Sequence, residues 1–580
     1  MERHAAGFGE SFKAPRADLK GSVVVRFVLV SDITLARNYR SVPLLDFLAS
    51  APTSVLPERI YNFLKGPPPP SQDGRAVLAP YATRKLEASV LKSYRSEEVV
   101  VAHEDHVADF VDDDTEIIGV STMDPLGLGP LTMSYALFFG TPGPAYVYRE
   151  FRSLLARINR ARAGRKAKLV VGGPGVWELT VHPDELERNR IDYAYQGEAD
   201  DIIGDLFRYI VEDGGDSAEF FRGFQTFDQS FHKQWKSNAK FISRNQFSKQ
   251  FPRIEDIPEI VGPSVKGMVE VMRGCGIGCD FCEVTLRPLR YYPPEKVRRE
   301  LQVNVRAGMD TAWLHSDEIF AYEHGRNFVP NEEALEDLFS AVMSTPGIRR
   351  TNPTHGRISI PAAYPDFIRR LSGIMRAGPD NWIGLQIGVE TGSDRLASEH
   401  MPNKTRPMKV GPDGSWADIV WRGTYVLNTY HWRPAFTVQV GQAGETPEDN
   451  WETVALINRL SNSTTENGRP FEFTIIPMQN VPLGLLKSRD FSSVKLDESQ
   501  LAVYYSSYKH LLKIATRDAA TASSELNPLT KYVTGGMMAL GAWGMFRVVR
   551  NRCRRGGLDT DKAERYGLER GPLQAPMVHA

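Results

Sequence analysis

The chain contains 580 residues, of which 42% are apolar and 24% are charged. A chain of this length and composition is expected to form about two to four globular domains, because one hydrophobic core rarely extends that far. Its formal net charge of −1 offers no global electrostatic case for a nucleic-acid partner. The four cysteines are too few for a disulfide framework and suit a reducing cytoplasm.

In the N-terminal part of the chain, strand patterns alternate with helix patterns. Residues 1–20 are polar and lack the apolar segment of a signal peptide, so a polar arm is expected there. Short apolar runs predict buried strands at 23–30, 116–121, 168–171 and 193–195. Residues 151–158 carry apolar side chains at helical spacing. From 21 to 215 we therefore predict an α/β domain with a doubly wound, Rossmann-like parallel sheet.

Glycine-rich or polar loops follow three of these strands, at 121–130, 172–177 and 196–200. Because parallel sheets bind ligands at the carboxyl ends of their strands, the three loops are expected to form one binding rim. The candidate cofactor-binding residues on this rim are Asp124, Gly173, Gly175, Gly197 and Glu198. No G-x-G-x-x-G sequence opens a helix here, so a dinucleotide is not favoured.

Three of the four cysteines lie close together, after a mixed segment at 216–265 that is predicted to be a linker. Cys275, Cys279 and Cys282 have the spacing C-x-x-x-C-x-x-C, with glycines between them that allow a tight backbone path. Three thiolates on one loop can hold three irons of a 4Fe–4S cluster, which leaves the fourth iron open to a substrate or cofactor. Zinc or buried structural thiols are the alternatives, but zinc normally takes four ligands and the sequence offers no second pair.

Between residues 266 and 480, a strand followed by a helix recurs. Strands are predicted at 268–272, 311–316, 357–360, 383–390, 436–440 and 471–477. Six such repeats predict a partial (β/α)6 barrel with its chemistry at the carboxyl ends of the strands. Thr446, Pro447 and Asp449 are expected to begin one of the helices as its N-cap, N1 and N3 residues.

Two groups of residues at these strand ends are candidates for cofactor binding: Ser316, Asp317 and Glu318, and Gly388, Glu390, Thr391 and Ser393. A functional role is favoured for Asp317 and Glu318. Glu390 and Glu445 have the alternative of solvated or helix-capping carboxylates. A satisfied core histidine is as good an interpretation of His315 as a functional one.

The C-terminal region, 481–580, is predicted to be mostly helical and contains no motif. Residues 532–546 carry no charge and are followed by five arginines between 547 and 555, among which stands Cys553. This stretch is too short and glycine-rich to span a bilayer. We expect 530–555 either to lie on a membrane surface or a partner, or to form a buried helix with a solvated basic end. Tyr504, Tyr505 and Tyr508 favour a packing face over a hydrogen-donating role, and the tail from 556 onward is predicted to be disordered.

The cysteine spacing, together with Phe281 before the last cysteine, resembles that of the radical S-adenosylmethionine (SAM) superfamily. Residues 316–318 stand where that family has its Gly-Gly-Glu-like turn, and 388–393 resemble its G-x-E-[ST]-G-S segment. Residues 441–446 resemble its G-x-P-G-E-T segment, with Ala443 in place of proline. The resemblance implies that the first two segments contact SAM, and that Cys275, Cys279 and Cys282 hold the cluster.

The segment 21–215 resembles the cobalamin-binding domain that precedes the barrel in many radical SAM enzymes, through Gly-Gly-Pro-Gly at 172–175 and Gln-Gly-Glu at 196–198. The D-x-H-x-x-G sequence, whose histidine ligates cobalt in one subset, is absent, since Asp32 is followed by Ile33 and Thr34. Many members of the radical subset also lack that histidine, so the resemblance still implies cobalamin.

The resemblance implies a cytoplasmic methyltransferase with a flavodoxin- or ferredoxin-type electron donor. In the implied scheme SAM is cleaved to a radical, the radical abstracts hydrogen from an unactivated sp3 carbon, and methylcobalamin donates the methyl group. The substrate would be a protein carbon, for example in methyl-coenzyme M reductase. Carbon–carbon bond formation in an isoprenoid membrane lipid is the first alternative, and a non-enzymatic, cluster-bearing sensor is the second. No protein side chain is predicted to be catalytic.

Overall fold

The computed structural model describes residues 24–37, 39, 43–140, 143–212, 240–481, 495–522 and 528–568. The predicted polar arm at 1–20 and the last part of the tail, 569–580, lie outside these residues. The predicted strand at 23–30 begins at Phe27.

The N-terminal domain contains a parallel sheet of six strands with the order β2-β1-β3-β4-β5-β6. The order reverses between β1 and β3, as in doubly wound folds. The strands are β1 Phe27–Ser31, β2 Val99–Val101, β3 Ile117–Ser121, β4 Lys168–Gly172, β5 Tyr193–Gln196 and β6 Phe241–Ser243. The predicted Rossmann-like fold is confirmed.

One boundary differs from the sequence prediction. The strand β6 lies within 216–265, which was predicted to be a linker, yet it pairs with β5 from Phe241 to Ser243. The prediction was wrong for these residues because a strand with only two buried apolar side chains, Phe241 and Ile242, is too short to produce a periodic pattern.

Alternating side chains of the sheet face two layers of helices. Val28, Val30 and Val120 pack with the helix Tyr146–Ala161 on one side, while Phe27 and Leu29 pack with the helix Ile203–Val211 on the other. The helices of this domain are α1 Ile33–Ala36, α2 Glu58–Lys65, α3 Tyr81–Val90, α4 Pro130–Phe139, α5 Tyr146–Ala161, α6 Val176–Val181, α7 Asp184–Arg188 and α8 Ile203–Val211. Burial on both faces explains why the strands read as continuous apolar runs.

The second domain contains six parallel strands that follow the chain order. The sheet β7-β8-β9 continues into β10-β11-β12 through a parallel bridge between His355 and Gln386. The strands are β7 Met268–Glu270, β8 Thr311–His315, β9 Arg350–Pro353, β10 Ile383–Glu390, β11 Trp432–Val440 and β12 Thr474–Gln479. The predicted partial (β/α)6 barrel is confirmed.

The third barrel strand lies earlier than predicted. It spans Arg350–Pro353, whereas residues 357–360 lead into the short helix Ser359–Ala363. The alternation of Ile358 and Ile360 imitates a strand, but both side chains are buried at the start of this helix. The barrel helices are α9 Pro294–Arg306, α10 Glu332–Met343, α11 Ser359–Ala363, α12 Pro365–Ile374, α13 Asp394–His400, α14 Trp416–Thr429 and α15 Pro447–Ser461.

The C-terminal region is helical, as predicted, with α16 Glu498–Ala522, α17 Pro528–Arg555 and α18 Thr560–Arg565. Helix α16 packs against α17, α15 and β12, so it covers the last strand of the barrel. Tyr504 and Tyr505 are buried, consistent with a packing face. The tail is ordered further than predicted, because Tyr566 packs on Trp451 with ring centroids 4.8 Å apart. None of the helices in the described part of the chain is long and apolar enough to cross a membrane.

Candidate functional site

The cysteine loop follows β7 at the mouth of the barrel. A short stem closes it, in which Met272–Arg273 pairs antiparallel with Arg290–Tyr291. Gly274, Gly276 and Gly278 have φ values of 79°, 68° and 83°, which L residues rarely adopt. A Cβ atom on Gly274 would lie 2.5 Å from the Pro288 oxygen. The expected tight path is therefore present, and it places three free thiols on one loop.

The chemistry of this loop fits a 4Fe–4S cluster with three protein ligands. Burial raises the pKa of all three thiols, that of Cys279 to about 12. Such thiols become thiolates when a cation binds, because metal ligation requires deprotonation. The fourth cysteine, Cys553, is buried in α17 with its sulfur 3.9 Å from the Leu501 oxygen, so it belongs to a different part of the molecule.

Three side chains from the barrel hold the cysteine loop. Asp317 accepts a hydrogen bond of 2.8 Å from the Gly274 amide. His400 contacts the Asp280 carboxylate through Nδ1 at 2.8 Å, and Asn403 donates to the Ile277 oxygen at 2.9 Å. Asp317, predicted to bind a cofactor, therefore also fixes the loop. No sequence signal identified His400 or Asn403, since both come from a segment without a motif.

A buried ion pair lies beside the loop. Lys404 donates to Glu390 at 2.8 Å, and a Cβ atom on Gly388 would overlap the ends of both side chains, so a larger residue there would displace the pair. Burial alone would lower the pKa of Lys404, but Glu390 and the nearby thiols of Cys279 and Cys282 raise it. Gly388 and Glu390 are candidates from the sequence, whereas Lys404 carries no sequence signal; their contact with SAM stays a prediction.

The turn 316–318 is tied to β9 and the segment after it. The Ser316 amide donates to Thr354 Oγ1 at 2.9 Å. Glu318 accepts from the Arg357 amide at 3.1 Å, and the Arg357 guanidinium lies 3.9 Å away. Burial raises the pKa of Glu318 in spite of Arg357. Of the three predicted residues, Asp317 contacts the cysteine loop directly, and contact of all three with SAM stays a prediction.

Other predicted residues at the end of β10 point toward a neighbouring helix. Thr391 Oγ1 lies 3.3 Å from Thr453 Oγ1, and Ser393 donates to Asp449 at 2.5 Å. Ser393 is also the N-cap of α13, accepting from the Leu396 amide. Their hydroxyl groups thus connect β10 and α13 to α15, and a contact of either with a cofactor stays a prediction.

The carboxylate of Glu445 has the structural role that the sequence left open. It accepts hydrogen bonds from the amides of Gly441 and Gln442 at 2.7 and 3.1 Å. This closes the turn between β11 and α15. The expected capping box is present as well, with Thr446 as N-cap and Asp449 at N3.

Two of the predicted rim loops of the N-terminal domain touch each other. A Cβ atom on Gly173 would overlap the Thr122 oxygen, and one on Gly175 would overlap the Met123 oxygen. Asp124 accepts from the Gly129 amide at 2.9 Å and from Thr132 at 2.5 Å. These contacts use the predicted residues to shape the loops, and their contact with a cofactor stays a prediction.

The third rim loop reaches the cysteine loop. Gly197 has φ of 118° and lies against the Arg244 Cβ. Glu198 bonds Arg273 and Arg290, one from each strand of the stem. The N-terminal domain and the cysteine loop are therefore in direct contact.

The fit of a corrin ring to the N-terminal domain depends on the loop after β1. Such sheets bind ligands where the strand order reverses, here at the ends of β1 and β3. Asp32 is buried there and accepts from the Thr34 amide at 3.0 Å and from Thr122 at 3.2 Å. The loop 32–37 contains no histidine. This segment therefore offers no histidine to cobalt, and binding of a corrin by this domain stays a prediction.

Comparisons with known proteins find distant similarity. The chain is 24% identical over 266 residues to the tRNA-2-methylthio-N(6)-dimethylallyladenosine synthase of Bacillus cereus strain B4264. It is also 24% identical, over 265 residues, to the Bacillus anthracis protein of the same name. The matches cover 44% of this chain and 46% of each relative, so the chain spans about half the length of the curated relatives it matches. No protein-family model matches the chain.

Among solved structures, the chain is similar to the radical S-adenosylmethionine methyltransferase TsrM from Kitasatospora setae with tryptophan and a SAM analogue bound. The identity is 15% and the TM-score 0.45, over 74% of this chain and 70% of that one. For a TsrM structure with cobalamin and a 4Fe–4S cluster bound, the identity is 13% and the TM-score 0.44, over 78% of this chain and 75% of that one. For HydG, a maturase of the [FeFe]-hydrogenase, the identity is 15% and the TM-score 0.29, over 43% of this chain and 53% of that one.

The fold and the site define a class of protein. A Rossmann-like domain precedes a partial (β/α)6 barrel, and the first strand of that barrel leads into a loop with three free cysteines. Both domains that the resemblance to radical SAM proteins implies are present, in the implied order.

Proposed function

We propose that this protein is a cobalamin-dependent radical SAM methyltransferase that methylates an unactivated sp3 carbon. The observation that carries the proposal is the position of Cys275, Cys279 and Cys282 at the mouth of a six-stranded parallel barrel, next to the N-terminal domain. When bound, the cluster and SAM would supply a hydrogen-abstracting radical, and cobalamin would supply a methyl group. A flavodoxin- or ferredoxin-type donor and a cytoplasmic location are part of the same proposal.

In this proposal the protein holds its reactants in line and keeps water away. The three cysteines bind the cluster, and Asp317, His400 and Asn403 fix the loop that carries them. Residues 316–318 and the Glu390–Lys404 pair supply polar groups for SAM at the adjacent strand ends. The loops after β1, β3 and β4 offer the surface for the corrin.

The decisive experiment uses the full chain, purified and reconstituted without oxygen, with cobalamin offered. We expect about four irons per chain, one corrin per chain by visible spectroscopy, and 5′-deoxyadenosine after reduction with SAM. The variant Cys279→Ala should lose SAM cleavage, whereas Cys553→Ala should retain it. Cleavage without bound corrin would contradict methyl transfer, and absence of cleavage would favour the non-enzymatic sensor.

We propose a protein carbon as the substrate, with methyl-coenzyme M reductase as an example. Methyl-labelled SAM and mass spectrometry of candidate proteins would test this. Label should appear on one carbon of the target and disappear with Cys279→Ala. Unlabelled protein together with abundant 5′-deoxyadenosine would contradict a protein substrate.

A membrane lipid is a second candidate substrate, favoured by an exposed apolar face on α17. Leu540, Trp543 and Val548 are 70%, 57% and 50% exposed, and the Arg547 guanidinium lies 4.8 Å from the Trp543 ring centroid. Apolar side chains beside arginines suit an anionic lipid surface. This contact of 530–555 with a membrane would bring the protein to its substrate.

Sedimentation with anionic phospholipid vesicles would test the lipid candidate. The variant Leu540→Ser/Trp543→Ser should lose most vesicle binding, while Ile60→Ser, which changes an exposed apolar residue of α2, should not. Equal binding by both variants, or no binding by the wild type, would count against the lipid.

A further inference from the structure

The stem of the cysteine loop brings two arginines together. Arg273 and Arg290 stand directly opposite each other in the antiparallel pair, and both side chains are only 12% exposed. Like charges in opposite positions destabilise such a pair unless a counter-charge is shared. The two ends of the loop that carries Cys275, Cys279 and Cys282 therefore depend on a nearby anion.

That anion comes from the N-terminal domain. Glu198, in the loop after β5, accepts from Arg273 Nη1 at 2.6 Å. It also accepts from Arg290 Nη2 at 2.6 Å and Nη1 at 2.9 Å, a two-pronged contact. Charge-assisted, two-pronged bonds between a carboxylate and arginine are strong and fix orientation. One carboxylate thus clamps both strands of the stem.

The backbone of Glu198 is held by other residues of the N-terminal domain. Its backbone oxygen accepts from Arg244 Nη1 at 2.8 Å and from the Tyr195 hydroxyl at 3.0 Å. Arg244 in turn bonds Asp201 at 2.5 and 2.8 Å. These contacts fix the backbone of Glu198, so its carboxylate reaches the stem from a loop that the N-terminal domain holds in place.

The two arginines depend on Glu198 to different degrees. Arg273 has further carboxylates, Asp200 at 2.8 Å and Glu270 at 2.9 Å. In the described part of the molecule, Arg290 forms its ion pair with Glu198. It also donates to the neutral backbone oxygen of Pro252 at 2.8 Å. Loss of the Glu198 charge would thus release chiefly the second strand of the stem, which follows Cys282.

We propose that Glu198 is a positioning residue that sets the cysteine loop against the N-terminal domain. It links the rim where a corrin would bind to the loop where a cluster would bind, across 75 and 92 residues of sequence. The consequence for methyl transfer rests on the proposed function. The consequence for the geometry of the cysteine loop needs only the contacts described above.

The test compares Glu198→Gln with the control Asp192→Asn in the reconstituted full chain; Asp192 precedes β5 and pairs with Arg162, whose side chain is also 12% exposed. Both changes remove a carboxylate that pairs with a buried arginine, but only the first touches the stem. We expect Glu198→Gln to keep its iron, to raise amide hydrogen exchange in peptides covering 284–292 by about tenfold, and to change the electron paramagnetic resonance signal of the reduced cluster. It should also form more 5′-deoxyadenosine per methylated product, whereas Asp192→Asn should match the wild type in exchange, resonance signal and product ratio.

Two further outcomes keep the inference open to refutation. If Glu198→Gln does not fold, Arg290→Gln releases the same strand while Glu198 keeps Arg273, and Arg290→Lys should restore part of the protection against exchange. Exchange and resonance spectra of Glu198→Gln that equal those of Asp192→Asn would overturn the positioning role. Failure of the wild type to methylate any substrate would remove the proposed function but leave the exchange and resonance results to decide the role of Glu198.

Discussion

At the scale of single residues, Lys404 and Glu390 form an ion pair beside the cysteine loop, with side chains 13% and 8% exposed. Lys404 lies near the thiols of Cys279 and Cys282, and their charge raises its pKa. A cation close to an iron–sulfur cluster favours the reduced state, because reduction adds a negative charge. The pair therefore offers a means of tuning a cluster that these cysteines would hold.

We predict that Lys404→Met shifts the midpoint potential of the reconstituted cluster to more negative values. The shift should be on the order of tens of millivolts, since a unit charge several ångströms away contributes about 1–2 kcal/mol at an effective dielectric constant near 20. Redox titration followed by electron paramagnetic resonance measures it. Lys409→Met, which changes an exposed lysine of the same segment, is the control, and equal potentials in the two variants would contradict the prediction.

Asp32 leads to a second prediction at this scale, on pH dependence. Burial raises its pKa from 3.8 to about 6, although hydrogen bonds from Thr34 and Thr122 act against this. A raised carboxyl pKa means that the folded state binds the proton more tightly than the unfolded chain. The resulting stabilisation is present below about pH 4 and is lost as the pH rises through about 6.

We therefore expect Asp32→Asn to gain about 2–3 kcal/mol in free energy of unfolding, relative to wild type, between pH 4 and pH 7.5. Urea unfolding at the two pH values measures the gain, and other titrating groups cancel in the difference. Asp109→Asn, at a side chain that is 64% exposed, should show no such change. A constant difference between Asp32→Asn and wild type at both pH values would refute the assignment.

At the scale of elements, helix α15 illustrates local information that survives folding. Thr446, Pro447 and Asp449 begin it as expected, and Asp449 accepts from the Thr446 amide at 2.9 Å. The same carboxylate also accepts from Ser393 at 2.5 Å, which joins α13 to α15. The capping role could be predicted from spacing, while the second role needed the neighbouring helix in place.

Thr446→Ala should lower the free energy of unfolding by about 1 kcal/mol, because the N-cap loses the hydroxyl that donates to the Asp449 carboxylate at 2.8 Å. Urea unfolding would detect this, with Thr464→Ala at an exposed loop position expected to stay within about 0.5 kcal/mol of wild type. An equal effect of the two substitutions would speak against the cap.

At the scale of the whole molecule, a buried ion pair connects the two large domains. Lys85 of α3 pairs with Glu300 of α9, with side-chain exposures of 5% and 1%. Tyr81 donates to the same carboxylate at 2.7 Å, and Lys85 also donates to the Pro258 oxygen at 2.7 Å. A buried polar contact therefore joins the two domains through helices that lie far apart in the sequence.

Glu300→Gln should destabilise the protein by about 3–5 kcal/mol, because it leaves the Lys85 ammonium buried without its counter-charge. Thermal and urea unfolding would measure the loss. The control is Glu295→Gln on the same helix, whose side chain is 70% exposed and should matter little. Similar stabilities of these two variants would show that the domains do not depend on this pair.

The sequence by itself determined the parts whose signals are local. The cysteine loop could be predicted from the spacing of its cysteines and glycines. Both α/β domains and most strands could be predicted from apolar periodicity, and helix starts from their caps. Each of these signals depends on residues within a few positions of one another. It failed where the local pattern was too short, as at Phe241–Ser243, or ambiguous, as at 357–360.

Only the tertiary structure decided which charges meet. Glu198 with Arg273 and Arg290, Lys404 beside Cys279, and Lys85 with Glu300 join segments that have no mutual sequence pattern. Their energies depend on burial and on distances set by packing of the whole chain, since a charge in water gains little from a partner and a buried one requires it. The cysteine loop is thus encoded locally, and its placement against the N-terminal domain is a property of the folded molecule.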